Sequence, residues 1–276
     1  MVDLHGHLLP GIDDGAKDLA QALNMARQAV ADGIVISVLT PHHLNGVYRN
    51  PARHVREQCA NFCSELRSHG IALDVRPGSE CHLVPELPAA LAEGSALTIA
   101  DRKRAVLVEL PVHSVPLGAT SILEDILAMG LRPLIAHPER NGELIATTEK
   151  LAEWIEMGCL AQVTAQSCTG QFGPQIQDAA RRMVCAGLVQ VMASDAHRDR
   201  RRIPQLSRGR DVVAQWTSPD VARLLTEDIP RGLADGQDVD ADQVRGALPA
   251  RGRGFAGWLR RLRAGSGAAL EGSQRS

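Results

Sequence analysis

Val2-Asp3-Leu4-His5-Gly6-His7, followed closely by Gly11-Ile12-Asp13-Asp14-Gly15, opens the chain. Alternate side chains of an extended segment share one face, so His5 and His7 turn two imidazoles toward one point, a spacing suited to a single metal ion. The pair gains weight from five later segments: Val38-Leu39-Thr40-Pro41-His42-His43, Val75-Arg76-Pro77-Gly78-Ser79-Glu80, Val106-Leu107-Val108-Glu109-Leu110-Pro111, Leu134-Ile135-Ala136-His137-Pro138-Glu139-Arg140 and Val191-Met192-Ala193-Ser194-Asp195-Ala196-His197. Each is an apolar, strand-like run that ends in ligand-type side chains beside turn formers. In a parallel α/β barrel the loops at the carboxyl ends of the strands meet on one face, which brings such residues together.

Between these runs the apolar period changes to that of helices. Asp18 to Ala31 carries Leu19, Ala22, Leu23, Ala26, Ala29 and Val30 at helical spacing, and Gly33 ends it before a strand expected from Ile34 to Leu39. Pro51 sits where a first helical residue belongs, and that helix reaches Gly70 before a strand from Ile71 to Val75. Further helices are expected over 119–129, 148–157 and 175–186, each stopped by a glycine, and one more over 219–226. The count is seven strands, mostly separated by helices, which fits βα units around a parallel sheet; periodicity alone leaves an open sheet and a closed barrel both standing.

The length of 276 residues suits one enzyme-sized barrel. A formal net charge of −2, a pI near 6.6 and 3% aromatic residues give no basic, aromatic-laced footprint, so nucleic acid is not expected as a partner. Six scattered cysteines, no signal peptide before the first strand and no apolar run near membrane-spanning length point to a reducing, cytoplasmic setting. From about Gly236 the composition shifts to Gly, Ala, Arg, Gln and Ser, and residues 236–276 are expected to form a disordered basic tail behind a domain of residues 1–235. Within the tail, Phe255, Trp258, Leu259 and Leu262 alternate with Arg260, Arg261 and Arg263, a short stretch suited to an anionic membrane or acidic partner, although a solvated tail is the plainer reading.

Taken together, Asp3-Leu4-His5-Gly6-His7 through Leu9-Pro10-Gly11-Ile12-Asp13-Asp14-Gly15, Thr40-Pro41-His42-His43, Tyr48-Arg49-Asn50-Pro51, Ala136-His137-Pro138-Glu139-Arg140-Asn141 and Ala193-Ser194-Asp195-Ala196-His197 resemble the bacterial manganese-dependent protein-tyrosine phosphatases of the CpsB/CapC type. These belong to the polymerase and histidinol phosphatase (PHP) superfamily. The resemblance implies an α/β fold, a distorted (β/α)7 barrel of PHP type. It implies three metal ions, Mn2+ with Fe or Zn as alternatives. It also implies hydrolysis of phosphotyrosine on the tail of a tyrosine autokinase that controls capsule or exopolysaccharide synthesis, with peripheral contact to that membrane-bound kinase. Matched by position, one metal takes His5, His7, Glu80 and Asp195, a second shares Glu80 and adds Glu109 and His137, and a third takes Asp14, His42 and His197. Imidazole and carboxylate without thiolate suit manganese, iron or zinc.

Metal ions can acidify a bound water and clamp the attacking and leaving oxygens of a phosphate ester. Arg140 and an arginine of the Arg200 to Arg202 cluster, with Arg201 and Arg202 as candidates, would hold the phosphoryl oxygens. Each assignment has a plainer rival. Asp13-Asp14-Gly15 is also a simple turn, and an arginine cluster is commonly a solvated face. His54 and His69 fall on helices as surface or packing residues, while His43, His82 and His113 lie near the site with no matched ligand role. A cysteine phosphatase is excluded more directly. Its loop needs an arginine six positions after the nucleophile, and those positions hold Glu65, His69, Leu87, Ala165, Pro174 and Val191. The remaining alternatives are a phosphatase for a small ester such as histidinol phosphate and a non-catalytic module that docks on a kinase.

Overall fold

The computed structural model describes residues 1–249. Its strands among these residues are β1 (Val2–Gly6), β2 (Ile36–Leu39), β3 (His42–His43), β4 (Asp74–Pro77), β5 (Glu80–His82), β6 (Ala105–Glu109), β7 (Arg132–Ala136), β8 (Leu160–Thr164) and β9 (Val191–Ala193). They pair in parallel as a three-stranded sheet, β1-β2-β4, and a six-stranded sheet, β3-β5-β6-β7-β8-β9. The expected seven staves become nine strands because two staves are broken, one at Thr40-Pro41 and one at Gly78-Ser79. Hydrogen bonding bridges both breaks, since Gly78 N donates to Leu39 O (2.9 Å) and Glu80 N donates to Pro41 O (3.2 Å). Gly78 is required there because a Cβ would come within 2.8 Å of Val38 Cγ1.

The choice between open sheet and barrel is decided at the seam between the first and last staves. Gly6 pairs with Ala196 in a parallel bridge, His7 N donates to Ala196 O (2.8 Å), and Asp195 N donates to His5 O (2.9 Å). The fully buried Asp3 carboxylate accepts from Ser194 N (3.0 Å), Ser194 Oγ (2.5 Å) and His5 N (3.3 Å), which locks the seam from inside. The result is a closed but distorted (β/α)7 barrel.

Two strands start later than the apolar pattern suggests, for one reason. Helix Leu19–Ala31, capped by Asp18 accepting from Gln21 N, ends with Gly33 in the left-handed region, and Ile34 N donates back to Ala29 O. Helix Ala52–Ser68 ends likewise, with Gly70 left-handed and Ile71 N donating to Leu66 O. These helix-closing motifs consume the first apolar residues after each glycine, so β2 begins at Ile36 and β4 at Asp74. Pro51 proves to be the cap preceding helix Ala52–Ser68, not its first residue; its ψ of 149° is extended. Helices Ala119–Ala128, Glu149–Met157 and Pro174–Cys185 lie where the sequence places them. Trp154, wholly buried on the second of these, satisfies its indole by donating Nε1 to Thr120 Oγ1 (3.0 Å).

Helix Pro219–Arg223 continues through a π-helical turn (Leu224–Asp228) into Ile229–Ala234. The described part of the tail expected to be disordered from residue 236 is not without structure. Residues 242–247 form a helix packed on residues 219–228, and its Val244 together with Leu248, four positions on, is buried. Phe255, Trp258, Leu259, Leu262 and the arginines around them lie outside the described residues.

Replacing Asp3 by Ala leaves the Ser194 and His5 amides without their buried acceptor, so the variant should lose about 3 kcal/mol of stability. Urea unfolding monitored by circular dichroism checks this through the midpoint.

Candidate metal centre and active site

The broken staves bend His42 and Glu80 over the mouth of the barrel, where they meet residues from the ends of the other strands. Glu80 is buried, and imidazoles crowd it: His5 Nε2 at 3.2 Å and His137 Nε2 at 3.1 Å from Oε1, His7 Nε2 at 3.2 Å and His42 Nδ1 at 3.0 Å from Oε2. Asp195 Oδ1 lies 3.4 Å from His5 Nε2, 3.6 Å from His7 Nε2 and 3.4 Å from His197 Nδ1. Asp14, half exposed, reaches His42 Nε2 at 3.3 Å and His197 Nε2 at 3.4 Å. Glu109 is the most loosely held, 3.7 Å from His42 Nδ1 and 3.9 Å from His137 Nε2. All nine residues singled out as ligands in the sequence therefore come together.

Three groups of donors lie within 4.8 Å of one another: His5, His7 and Glu80; His42, Glu80 and Glu109; and His7, Asp14, His42 and His197. His7, His42 and Glu80 each belong to two groups, while His137 and Asp195 belong to none of the three, so the grouping differs from the sequence assignment. The residues fit divalent cations on several grounds. His5 Nε2 and His7 Nε2 face each other at 3.2 Å among carboxylates, and His42 Nδ1, Glu80 Oε2 and Asp195 Oδ1 are buried without an aligned hydrogen-bond partner. Buried polar atoms rarely go unpaired.

Partners outside the cluster aim the rings. His5 Nδ1 donates to Gln162 Oε1 (2.9 Å) and His7 Nδ1 to Asp13 Oδ2 (2.7 Å), which leaves Nε2 of both pointing inward. Sequence reading overlooks both Asp13 and Gln162. The signal for Asp13 is its place two residues before Gly15, whose N donates to Asp13 Oδ1 (2.8 Å) in a turn that fixes the carboxylate. A Cβ on Gly15 would meet His7 O at 2.2 Å, so glycine is needed for that close approach.

Arg140 and Arg202 both donate to Asp195 Oδ2, the latter at 2.5 Å, and the Nε atom of each is buried without a partner. Arg201 departs from expectation. It faces solvent and takes no part in lining the cleft, because the loop turns at Arg202, left-handed at φ 52°, and brings only that arginine inward. Arg198 donates to the carbonyls of Asp14 and Gly15 and so ties down the loop that carries Asp14. Glu139, buried beside Arg140, accepts from Thr164 N (2.9 Å) and Ser167 Oγ (2.6 Å). His82 lies 3.5 Å from Glu109, His43 is buried without a ring partner, and His69 and His113 are exposed.

The cleft over this cluster has a volume of about 490 Å3. None of the six free cysteines lines it. Burial pushes the Cys59 and Cys159 thiols up to about 12 and raises Cys81 and Cys168 as well, opposite to what a thiolate nucleophile needs.

A family profile described as capsular polysaccharide synthesis, CpsB/CapC, matches residues 1–233. The chain belongs to this family. It is 37% identical over 227 residues to tyrosine-protein phosphatase YwqE of Bacillus subtilis, covering 82% of this chain and 89% of that one. It is 26% identical to tyrosine-protein phosphatase CpsB of Streptococcus pneumoniae, over 84% of this chain and 98% of that one. Among solved structures it resembles one from a study of YwqE from Bacillus subtilis and CpsB from Streptococcus pneumoniae, called unique metal-dependent tyrosine phosphatases, with a TM-score of 0.82 and 35% identity over 87% of this chain and 96% of that chain.

Electrostatics at this cluster are dominated by imidazole–carboxylate pairs. Burial would raise the Glu80 and Asp195 carboxyls, but the His5 charge, the histidines around Glu80 and the Arg140 guanidinium beside Asp195 hold both well below the usual range. Burial would likewise lower His42, yet its contacts with Asp14 and Glu80 push it up to about 10, while burial and the neighbouring His7 charge bring His197 down to about 4. His42 thus holds a proton at pH 7 that a cation must displace, since ligation requires neutral imidazole. Cation uptake should therefore release protons, and apparent affinity should rise with pH until His42 gives up its proton near pH 10. Calorimetric titration in two buffers of different ionisation heat measures this directly; uptake without proton release would contradict it.

Proposed function

We propose that this chain is a metal-dependent tyrosine-protein phosphatase that holds Mn2+ in the cluster of His5, His7, Asp14, His42, Glu80, Glu109, His137, Asp195 and His197, and acts on the phosphotyrosine tail of an autokinase of capsule or exopolysaccharide synthesis. The observation that carries the reading is the convergence of Arg140 and Arg202 on Asp195, each with an unpaired buried Nε, at the same cleft as the imidazole and carboxylate cluster. The relatives named tyrosine-protein phosphatases support the choice of substrate. Six free cysteines support a reducing setting such as the cytoplasm, and no helix among the described residues is long and apolar enough to cross a membrane.

When bound, divalent cations neutralise phosphoryl charge and acidify water. The chain's own contribution is positioning. Arg140 and Arg202 offer planar N–H edges to the phosphoryl oxygens, with Asp195 and the buried Glu139 fixing the Arg140 side. His197, held neutral by burial, and the half-exposed Asp14 both line the cleft that would admit an ester. The leaving phenol has a pKa near 10, so its departure needs little help from an acid.

Chelation should abolish turnover of a phosphotyrosyl peptide, and Mn2+ should restore it; full activity in a rigorously metal-free sample would sink the reading. Arg140→Lys keeps the charge but loses the fork, so kcat/KM should drop by about 10- to 100-fold with metal content unchanged. His137→Ala should lower metal content and rate together. Elemental analysis beside steady-state kinetics separates the two effects. Single Cys→Ser changes at all six positions should leave turnover in place, which the same assay tests.

A further inference from the structure

The loop Arg198-Asp199-Arg200-Arg201-Arg202, which follows His197, carries more positive charge than the cleft uses. Two of its guanidinium groups turn inward. Arg202 lines the cleft and donates to Asp195 Oδ2 (2.5 Å), while Arg198 holds the carbonyls of Asp14 and Gly15. The backbone between them is fastened to the rest of the fold. Gln21 Nε2 donates to Asp199 Oδ1 (3.0 Å), Gln28 Nε2 donates to Asp199 O (2.8 Å), and His197 N donates to Arg202 O (2.9 Å). Arg200 and Arg201 stand on this fixed base, and both are exposed. Among the described residues the Arg201 side chain has neither hydrogen bond nor ion pair, and Arg200 makes no ion pair, its neighbour Asp199 being held by Gln21.

We propose that Arg200 and Arg201 form a docking site for an acidic peptide segment, so that this chain prefers phosphotyrosines whose neighbouring residues carry carboxylates. The inference rests on the phosphatase reading above and adds to it a selection among tyrosine sites. Chain continuity supplies the distance. Consecutive Cα atoms are about 3.8 Å apart, close to one residue step of an extended peptide, so a phosphoryl group held at Arg202 brings the residues flanking its tyrosine within reach of Arg201 and Arg200. The outward turn of Arg201, which removes it from the phosphoryl group, leaves its planar N–H edge to a carboxylate of the bound peptide. A fastened backbone lowers the ordering needed on binding. An exposed ion pair contributes a factor of only about 1.5 to 5, so the preference is modest and belongs to low salt.

Two phosphotyrosyl peptides of equal length, one flanked by Glu and the other by Gln, test the proposal on the Mn2+-loaded full chain. At low ionic strength kcat/KM should be about 5- to 10-fold higher for the Glu peptide, through KM and not kcat, and the gap should close to within about twofold in about 0.5 M salt. The double variant Arg200→Gln, Arg201→Gln should erase the preference, and Arg200→Glu, Arg201→Glu should reverse it. Phenyl phosphate has no flanking residues, so its turnover should stay within about twofold of wild type in both variants. Equal rates for the two peptides in the wild type, a preference that survives the double variant, or a loss of phenyl phosphate turnover with it would overturn the docking site. The same assays separate the failures: phosphotyrosyl turnover without discrimination removes only the docking site, while a metal-loaded wild type inactive toward both peptides removes the phosphatase reading with it.

Discussion

Everything at the mouth of the barrel depends on one buried negative charge, the Glu80 carboxylate in contact with four imidazoles. A carboxylate withdrawn from water costs several kcal/mol unless it is matched by positive charge. The match here is drawn from three different staves, because His5 and His7 lie at the end of β1, His42 lies on β3 and His137 follows β7. The breaks at Thr40-Pro41 and Gly78-Ser79 have their explanation in this arrangement: an unbroken stave would not turn His42 and Glu80 over the opening. His137 and Asp195 adopt left-handed backbone, at φ 33° and 50°, a conformation costing on the order of 1–3 kcal/mol each for residues other than glycine. The continuous apolar interior from Val2 to Leu248 offsets that strain.

The parts of the site that could be read in advance are those encoded by spacing. The alternation of His5 and His7, and acidic or imidazole residues after apolar runs, carry their geometry in the chain itself. Orientation is different. Asp13 and Asp14 are adjacent and chemically alike, yet one aims His7 from outside the cluster and the other faces His42 and His197, a distinction made by the turn at Gly15. Arg201 and Arg202 diverge because of a single left-handed residue. Gln162 carries no pattern of its own on a fully buried strand, and its role follows only from where the barrel places His5 Nδ1. The strand shifts at Ile34 and Ile71 have a similar origin, since helix-closing hydrogen bonds compete with strand propensity for the same residues.

The cleft separates two kinds of recognition. Its floor recognises charge, and protons or cations can balance the same carboxylates there. One part of its lining, Pro111 to Ser114, is tied by hydrogen bonds to Asn141 and Gly142 in the turn that carries Arg140, so the charged and the apolar parts of the cleft meet in one short segment. A side chain replaced in that segment is therefore felt in both parts of the cleft.

The seam also has a consequence in time. Asp3 and Ser194 are 191 positions apart, and the staves that carry His5 and Asp195 are neighbours in space but extremes in sequence. During synthesis the amino-terminal strand must wait, its imidazoles already outside the ribosome, until nearly the whole domain has emerged. Closure of such distant partners is the slowest kind of contact to form. The full cluster of imidazoles and carboxylates at the mouth is consequently assembled only when the seam closes, and until then its members from the first and last staves are held apart.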